Sequence, residues 1–295
     1  MAWTLVILLG IATVFLFVRV RTLGKQITRF TRTQRRRPIA AGVMPVLRRV
    51  DYHKPVILMA HRGLARYATE NTGPAIALAS EAGANGIEVD IRCTADHVPV
   101  LFHDRSLQVL AGRAQDVRDL SFSQLSDIAI NPANRIVSVD IMLDEFATHF
   151  DHLMLDLKDV RRDSFDRDDV DCVIELVKRH DATRRVIVDS SSFDCVQYLQ
   201  QNGLTASFRR PTRSPRELVD QGITHITMPA HLARKYYERN KGWGGLFATI
   251  VCQPPVDEAM WFIERDASAI ITDLVEETID ALVAKGYAST KANGE

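Results

Sequence analysis

Nine short apolar runs punctuate this chain from residue 56 onward, and amphipathic stretches fill most of the gaps between them. The runs are Val56–Ala60, Gly86–Ile91, Val98–Phe102, His152–Leu157, Val186–Asp189, Thr205–Phe208, His225–Met228, Phe247–Val251 and Ala269–Thr272. Runs this short read as strands, and strand–helix alternation over such a length points to a closed parallel barrel. Helix-start signals agree. Pro74 follows Thr72-Gly73, Ser214-Pro215 opens another segment, and Asp273 stands where it could cap the last helix.

Nine strands is one too many for an eight-stranded barrel, and spacing resolves the excess. Only residues 92–97 separate Ile91 from Val98, whereas parallel neighbours need a crossover of a dozen residues or more. The two runs are therefore expected to form a hairpin or an excursion, with Val98–Phe102 an arm over the barrel mouth. The stretch from about 105 to 148 is too long for a plain connection and reads as a small inserted cap. The expected fold class is α/β, a (β/α)8 TIM barrel over residues 55–287, followed by a tail at 288–295.

The chain ahead of the barrel has a different character. Ala2 to Val18 is an unbroken apolar run, and a helix of that length reaches roughly 25 Å, near the thickness of a bilayer core of about 30 Å. A secretory signal would carry basic residues before such a run and a small-residue cleavage site after it. Here Arg19, Arg21 and Lys25 follow at once. Residues 1–20 are thus expected to be a retained single-pass transmembrane anchor, and 21–54 a basic linker containing Arg35-Arg36-Arg37. The positive-inside rule then puts the barrel in the cytoplasm, with the arginines near anionic headgroups.

Net charge is zero over the whole chain, but residues 1–50 hold ten Lys/Arg and no acid, leaving the remainder at −10. An acidic domain argues against a nucleic-acid partner. The four cysteines are far apart, without C-x-x-C, and read as buried thiols in a reducing compartment.

Chemistry-bearing residues gather at the C-terminal ends of strands, where barrels of this type build their sites. His61 ends the first strand, Glu88 and Asp90 the second, Asp156 and Lys158 the third. Glu88 and Asp90 are two apart and share a side of the strand, with Ile87, Val89 and Ile91 on the other. Two carboxylates on one inward face repel unless a cation sits between them, and Asp156 on the next strand is a natural third ligand. Oxygen-only ligation suits Mg²⁺ or Ca²⁺ better than Zn²⁺. His61 and His103 fit two proton-transfer roles. Arg62 and Lys158 would hold the oxygens of a phosphate. Gly63 would either let the backbone pass close to substrate or make a plain turn. Glu70 and Asn71 would contribute to the substrate site or cap the helix that follows. His53, His97, His149, His152, His180, His225 and His231 read as structural or surface residues. The set suits metal-assisted phosphodiester cleavage.

Taken together, His61-Arg62-Gly63, Glu70-Asn71-Thr72, Gly86-Ile87-Glu88-Val89-Asp90 and Pro99-Val100-Leu101-Phe102-His103-Asp104 resemble the glycerophosphodiester phosphodiesterase family of the phosphatidylinositol-phospholipase-C-like superfamily. Asp156-x-Lys158, Ser192-Phe193 and Ile270-Ile271-Thr272-Asp273 match its later landmarks in order. The resemblance covers roughly residues 56–285. It implies a divalent cation on Glu88, Asp90 and Asp156, acid–base catalysis by His61 and His103, and cleavage of glycerophosphodiesters to glycerol 3-phosphate and an alcohol. There are departures from the pattern. Asp156 stands where Glu is usual, as in the related spider-venom sphingomyelinase D enzymes. Thr69 replaces a proline and His97 a turn glycine, and Ile250–Pro255 replaces a Trp-rich motif on the alcohol side.

Two rival readings follow. A lysophospholipase D-type enzyme would suit a membrane anchor, although no second long apolar segment is present to shape an acyl tunnel. A non-catalytic, membrane-tethered binding protein would be expected to have lost a ligand or a histidine, and every one of those positions is filled.

Overall fold

The computed structural model describes residues 48–131, 134–158, 165–252 and 255–292. The strands are β1 (Arg48–Tyr52), β2 (Ile57–His61), β3 (Gly86–Cys93), β4 (Pro99–Leu101), β5 (Ala129–Asn131), β6 (Asn134–Arg135), β7 (His152–Leu157), β8 (Val186–Ser190), β9 (Thr205–Arg209), β10 (His225–Pro229), β11 (Phe247–Cys252), β12 (Ala269–Thr272) and β13 (Ala288–Ala292). The eight strands β2, β3 and β7–β12 pair in parallel in the order β2-β12-β11-β10-β9-β8-β7-β3, and β3 pairs with β2 to close the ring. This is the expected barrel. β4 pairs antiparallel with the end of β3, Ile91 opposite Leu101 and Cys93 opposite Pro99, as the short spacing required.

Parallel strands covered on both faces need apolar residues on both, and the chain divides them into two layers. Leu58, Ile87, Val89, Ile91, Leu153 and Leu155 belong to the large core shared with the helices. Met59, Met154, Ile187, Ala269 and Ile271 form a separate small cluster, which the alternation of side chains places inside the barrel. One layer further toward the C-terminal ends, the inward positions turn polar. Asp90 pairs with Asp156, Asp156 with Asp189, and Asp189 with Ser207 across four neighbouring strands. The apolar plug below and the polar layer above fix where a site can form.

Helix starts follow local capping chemistry. Helix α1 (Gly73–Glu81) begins after Thr72 with Pro74 in its first turn. At Ser214 a capping box with Glu217 opens the Pro215–Asp220 helix. Asp273, expected to cap the last helix (Val275–Ala284), does not do so: Leu274 stands at that position, and the Asp273 side chain is engaged elsewhere.

The expected cap at 105–148 is shorter than its bounds. Residues 108–111, 117–119 and 122–126 form short helical turns, and β5 and β6 form a small hairpin. Helix α2 (Val139–Phe146), however, lies against both α1 and the Arg167–Arg179 helix and takes a ring position. Its Ser138 cap accepts from the Ile141 amide, and Val139, Met142, Leu143 and Phe146 enter the main core. Those apolar contacts draw it out of the insertion, which ends near residue 138.

Residues assigned to the linker and the tail also form structure. Arg48–Tyr52 and Ala288–Ala292 pair antiparallel, with Arg48 opposite Ala292. Their polar sequences hide the ladder, but Tyr52 bonds the Gly83 carbonyl at 2.9 Å and Lys54 lies 3.9 Å over the Tyr287 ring. Gly83 closes α1 just before β3 starts, so the ladder lies at the N-terminal ends of the barrel strands. Among the described residues no helix is long and apolar enough to cross a membrane; the anchor assigned to 1–20 lies outside them. All four cysteines are free thiols, Cys93 and Cys252 buried.

Candidate active site and metal centre

His61 closes β2 with its ring turned inward. Its Nδ1 is 2.7 Å from Asp273 Oδ1, just beyond β12, and its Nε2 is 4.0 Å from Glu88 Oε2. Burial pulls the imidazole pKa down, but the Asp273 hydrogen bond and the Glu88 charge outweigh it, and the ring sits above its ordinary value. The same bond holds the Asp273 carboxyl below the usual range.

Arg62 and Asn71 both adopt left-handed backbone, with φ of 58° and 56°, and the loop between them folds back on itself. The Asn71 amide donates to the Arg62 carbonyl at 2.9 Å. Arg62 Nη1 reaches both Glu70 oxygens at 3.0 Å, and its Nε stands 3.1 Å from Asp90 Oδ2. Asn71 is 2% exposed. Its Nδ2 donates to Asp90 Oδ2 at 2.7 Å, and its Oδ1 accepts from the Asp90 backbone N–H at 3.0 Å. The side chain holds Asp90 and does not cap the helix, whose N-cap is Thr72. Gly63 has a φ of 80°, and a Cβ there would stand 2.6 Å from the Ala75 carbonyl carbon. That glycine is required by the close approach of α1.

Glu88, Asp90 and Asp156 come together as expected. They are 3%, 0% and 7% exposed, and one oxygen from each lies within 4.8 Å of the others. Burial, with the neighbouring Asp90 charge, raises Glu88; at Asp90 burial pushes the same way, but Lys158 and Arg62 outweigh it and hold that carboxyl low. Lys158 Nζ bridges Asp90 Oδ1 at 2.6 Å and Asp156 Oδ2 at 2.5 Å. His103 arrives on the arm, where Phe102 N–H donates to the Asp90 carbonyl at 2.9 Å. Its Nδ1 is 2.7 Å from Asp104 Oδ1.

Sequence reasoning gave no role to four residues here: Asp104, Asp189, Arg209 and, beyond its assumed cap, Asp273. Arg209 Nη2 contacts Asp156 Oδ1, and its Nε donates to Asp189 Oδ2 at 2.6 Å. A signal was available. Asp189, Arg209 and Asp273 share the inward parity of their strands with Ile187, Ser207 and Ile271, and a charge at that parity near a strand's end faces the barrel mouth.

Four buried or half-buried carboxylates (Glu70, Asp90, Asp156, Asp189) contact three permanent cations (Arg62, Lys158, Arg209), and a fifth, Glu88, meets the Arg62 backbone N–H and the His61 ring. Counted as ionised the five exceed the cations by two, and the three that converge offer only oxygen. That donor set and charge fit a hard divalent ion. A second triad, His97, Asp166 and Asp169, is already balanced: Arg118 reaches both Asp169 oxygens at 2.7 Å, and His97, at a φ of 59°, turns its ring onto the same carboxylate at 2.8 Å. It ties the hairpin turn to a helix start.

Comparison with known proteins places this geometry among relatives. The model of the Glycerophosphoryl diester phosphodiesterase family matches residues 61–234. Glycerophosphodiester phosphodiesterase 1 of Rattus norvegicus is 40% identical over 93 residues, covering 30% of this chain and 28% of that protein. The Homo sapiens protein of the same name is 38% identical over the same span. The chain thus aligns with little more than a quarter of these relatives' length. A glycerophosphodiester phosphodiesterase from Parabacteroides distasonis superposes with a TM-score of 0.68 at 23% identity, over 79% of this chain and 98% of that one. An Oleispira antarctica phosphodiesterase, solved in complex with the product sn-glycerol-3-phosphate, gives 0.67 at 16% identity, over 77% and 96%. These likenesses show the fold.

Proposed function

This chain belongs to the glycerophosphoryl diester phosphodiesterase family, and from that premise we propose that it hydrolyses glycerophosphodiesters to glycerol 3-phosphate and an alcohol, with a divalent cation held by Glu88, Asp90 and Asp156. The observation that carries the reading is a buried carboxylate triad flanked by two histidines, each with Nδ1 tied to its own carboxylate. The ion would neutralise a non-bridging phosphate oxygen and acidify the attacking hydroxyl, which suits Mg²⁺ or Ca²⁺.

The residues of the chain supply the rest. With Asp273 and Asp104 on the Nδ1 atoms, Nε2 is the working nitrogen of both His61 and His103. A neutral ring so held accepts a proton at Nε2, and a protonated one donates from it. One histidine takes the proton of the nucleophile, a water or the substrate's own glycerol hydroxyl, and the other delivers a proton to the leaving oxygen. Arg62 and Lys158 lie close enough to the triad to fix phosphate oxygens. Glu70 steers Arg62, and Asn71 acts through Asp90.

The membrane part of the proposal rests on the apolar run of residues 1–20 and the basic residues that follow it, which favour a cytoplasmic barrel. The sequence holds no second long apolar segment to shape an acyl tunnel, which favours water-soluble diesters over lysophospholipids. The test is release of glycerol 3-phosphate by the full-length protein from glycerophosphocholine, with Mg²⁺, Ca²⁺ or chelator, beside lysophosphatidylcholine. Metal-dependent release from glycerophosphocholine supports the reading. Turnover of the lysolipid alone replaces it with a lysophospholipase D activity, and turnover of neither favours a binding protein.

A further inference from the structure

One cation at the barrel mouth has no part in the acid–base scheme. Arg209 ends β9 at the inward position two residues beyond Ser207. Its guanidinium joins carboxylates from two other strands, Nε to Asp189 Oδ2 at 2.6 Å and Nη2 to Asp156 Oδ1. The two ends are not equivalent. Asp189 is 1% exposed, and the hydroxyls of Ser207 and Thr227, 2.7 Å apart, lie beside it. Shut away at that depth, it can serve only as an anchor. Asp156 is one of the three convergent carboxylates, and its other oxygen already accepts from Lys158. Both Asp156 oxygens are therefore held by cations of the protein itself.

An ion entering the triad must compete for those oxygens. A guanidinium displaced from Asp156 stays fixed at its Asp189 end, because a buried carboxylate stripped of its cation is strongly penalised. Its Nη groups are then left beside whatever the ion has bound. We propose that Arg209, paired here with Asp156 and Asp189, is a substrate-phosphate ligand that turns to the phosphate when a divalent ion takes the Asp156 carboxylate. The proposal rests on the reading of Glu88, Asp90 and Asp156 as a metal centre. The planar fork of arginine suits the task, since one edge can hold a carboxylate while the other meets phosphate oxygens. Arg209 thus opposes the ion when it binds alone and favours ion and phosphate together. By linkage each raises the affinity for the other.

The test is calorimetric titration of the full-length protein with Mg²⁺ and with Ca²⁺, then with glycerol 3-phosphate at saturating ion. Wild type, Arg209→Gln and Arg209→Lys are compared. The double variant Arg209→Gln/Asp189→Asn removes both members of the pair and is the one to read if Arg209→Gln alone fails to fold, judged by circular dichroism. Without Arg209 the ion alone should bind about tenfold tighter or more, because a repelling charge and a competitor are gone. Glycerol 3-phosphate should bind roughly tenfold to a hundredfold more weakly, the loss of a charge-assisted contact, and Arg209→Lys should restore part of it. Two affinities falling together would make Arg209 a brace and overturn the proposal, as would unchanged glycerol 3-phosphate binding. Failure of the wild type to bind either ion overturns the metal-centre reading and this proposal with it; a contrary result confined to the variants overturns this proposal alone.

Discussion

Replacing Asn71 by alanine separates two roles the residue could have. In the structure its amide holds Asp90 from both sides: Nδ2 donates to the carboxylate at 2.7 Å, and Oδ1 receives the backbone N–H at 3.0 Å. Losing the first removes a charge-assisted bond worth about 1.5–3 kcal/mol, and losing the second leaves a buried N–H without an acceptor at about 1–3 kcal/mol. The backbone φ of 56° suits asparagine, and alanine there costs roughly 1 kcal/mol more. A water filling the gap recovers part of this, so the expected loss is about 4 kcal/mol. In a domain of this size that corresponds to a fall in Tm of about 8–16 °C. Urea and thermal unfolding in the presence of chelator read the stability directly, and ion titration reads the consequence for Asp90. A variant within about 1 kcal/mol of wild type, with raised KM and preserved kcat, would refute the reasoning and restore Asn71 as a substrate ligand.

Three further outcomes follow from the same geometry. Gly63→Ala should lose roughly 3 kcal/mol in urea unfolding, from the left-handed backbone and the clash with α1; a wild-type midpoint would contradict the packing argument. Asp273→Asn removes the bond that lifts His61 and leaves burial to dominate, so the His61 pKa should fall. In the wild type the raised pKa adds stability that is complete below the ordinary histidine value and is lost as pH rises through the folded one. The variant should lose that acid-side gain, and its His61 ring resonances should titrate at lower pH in NMR; an unmoved titration would exclude the pairing. Either His61→Ala or His103→Ala should lower kcat by about 10²–10⁴-fold with Tm little changed, and near-normal turnover in either would remove that histidine from the mechanism.

What could be read in the sequence is what is local. The barrel strands stand out because both their faces are buried, and the arm stands out because six residues cannot make a crossover. The triad was visible because Glu88-x-Asp90 shares one strand face and Asp156 stands next to it in the sheet. Less legible were features built from distant residues by geometry alone. The His61–Asp273 bond spans 212 positions. Arg209 meets Asp156 and Asp189 only because three strands stand side by side. β1 alternates between half-buried and exposed residues, and β13 is short and mostly polar, so no long apolar run announces their pairing. Asn71 showed its motif but not its task, since a buried amide and a substrate-facing one look alike until the φ and the partners are known.

The His61–Asp273 bond also spans the seam where β2, the first barrel strand made, meets β12, the last. A growing chain therefore displays His61, Glu88 and Asp90 long before the carboxylate that orients His61 has been synthesised. Until β12 docks, the ring lacks its partner and the sheet lacks the neighbour that closes it. Under the proposed two-histidine scheme, catalytic competence would report on finished synthesis: a chain stalled or clipped before residue 273 would carry every N-terminal motif of the site and still lack the carboxylate that orients His61.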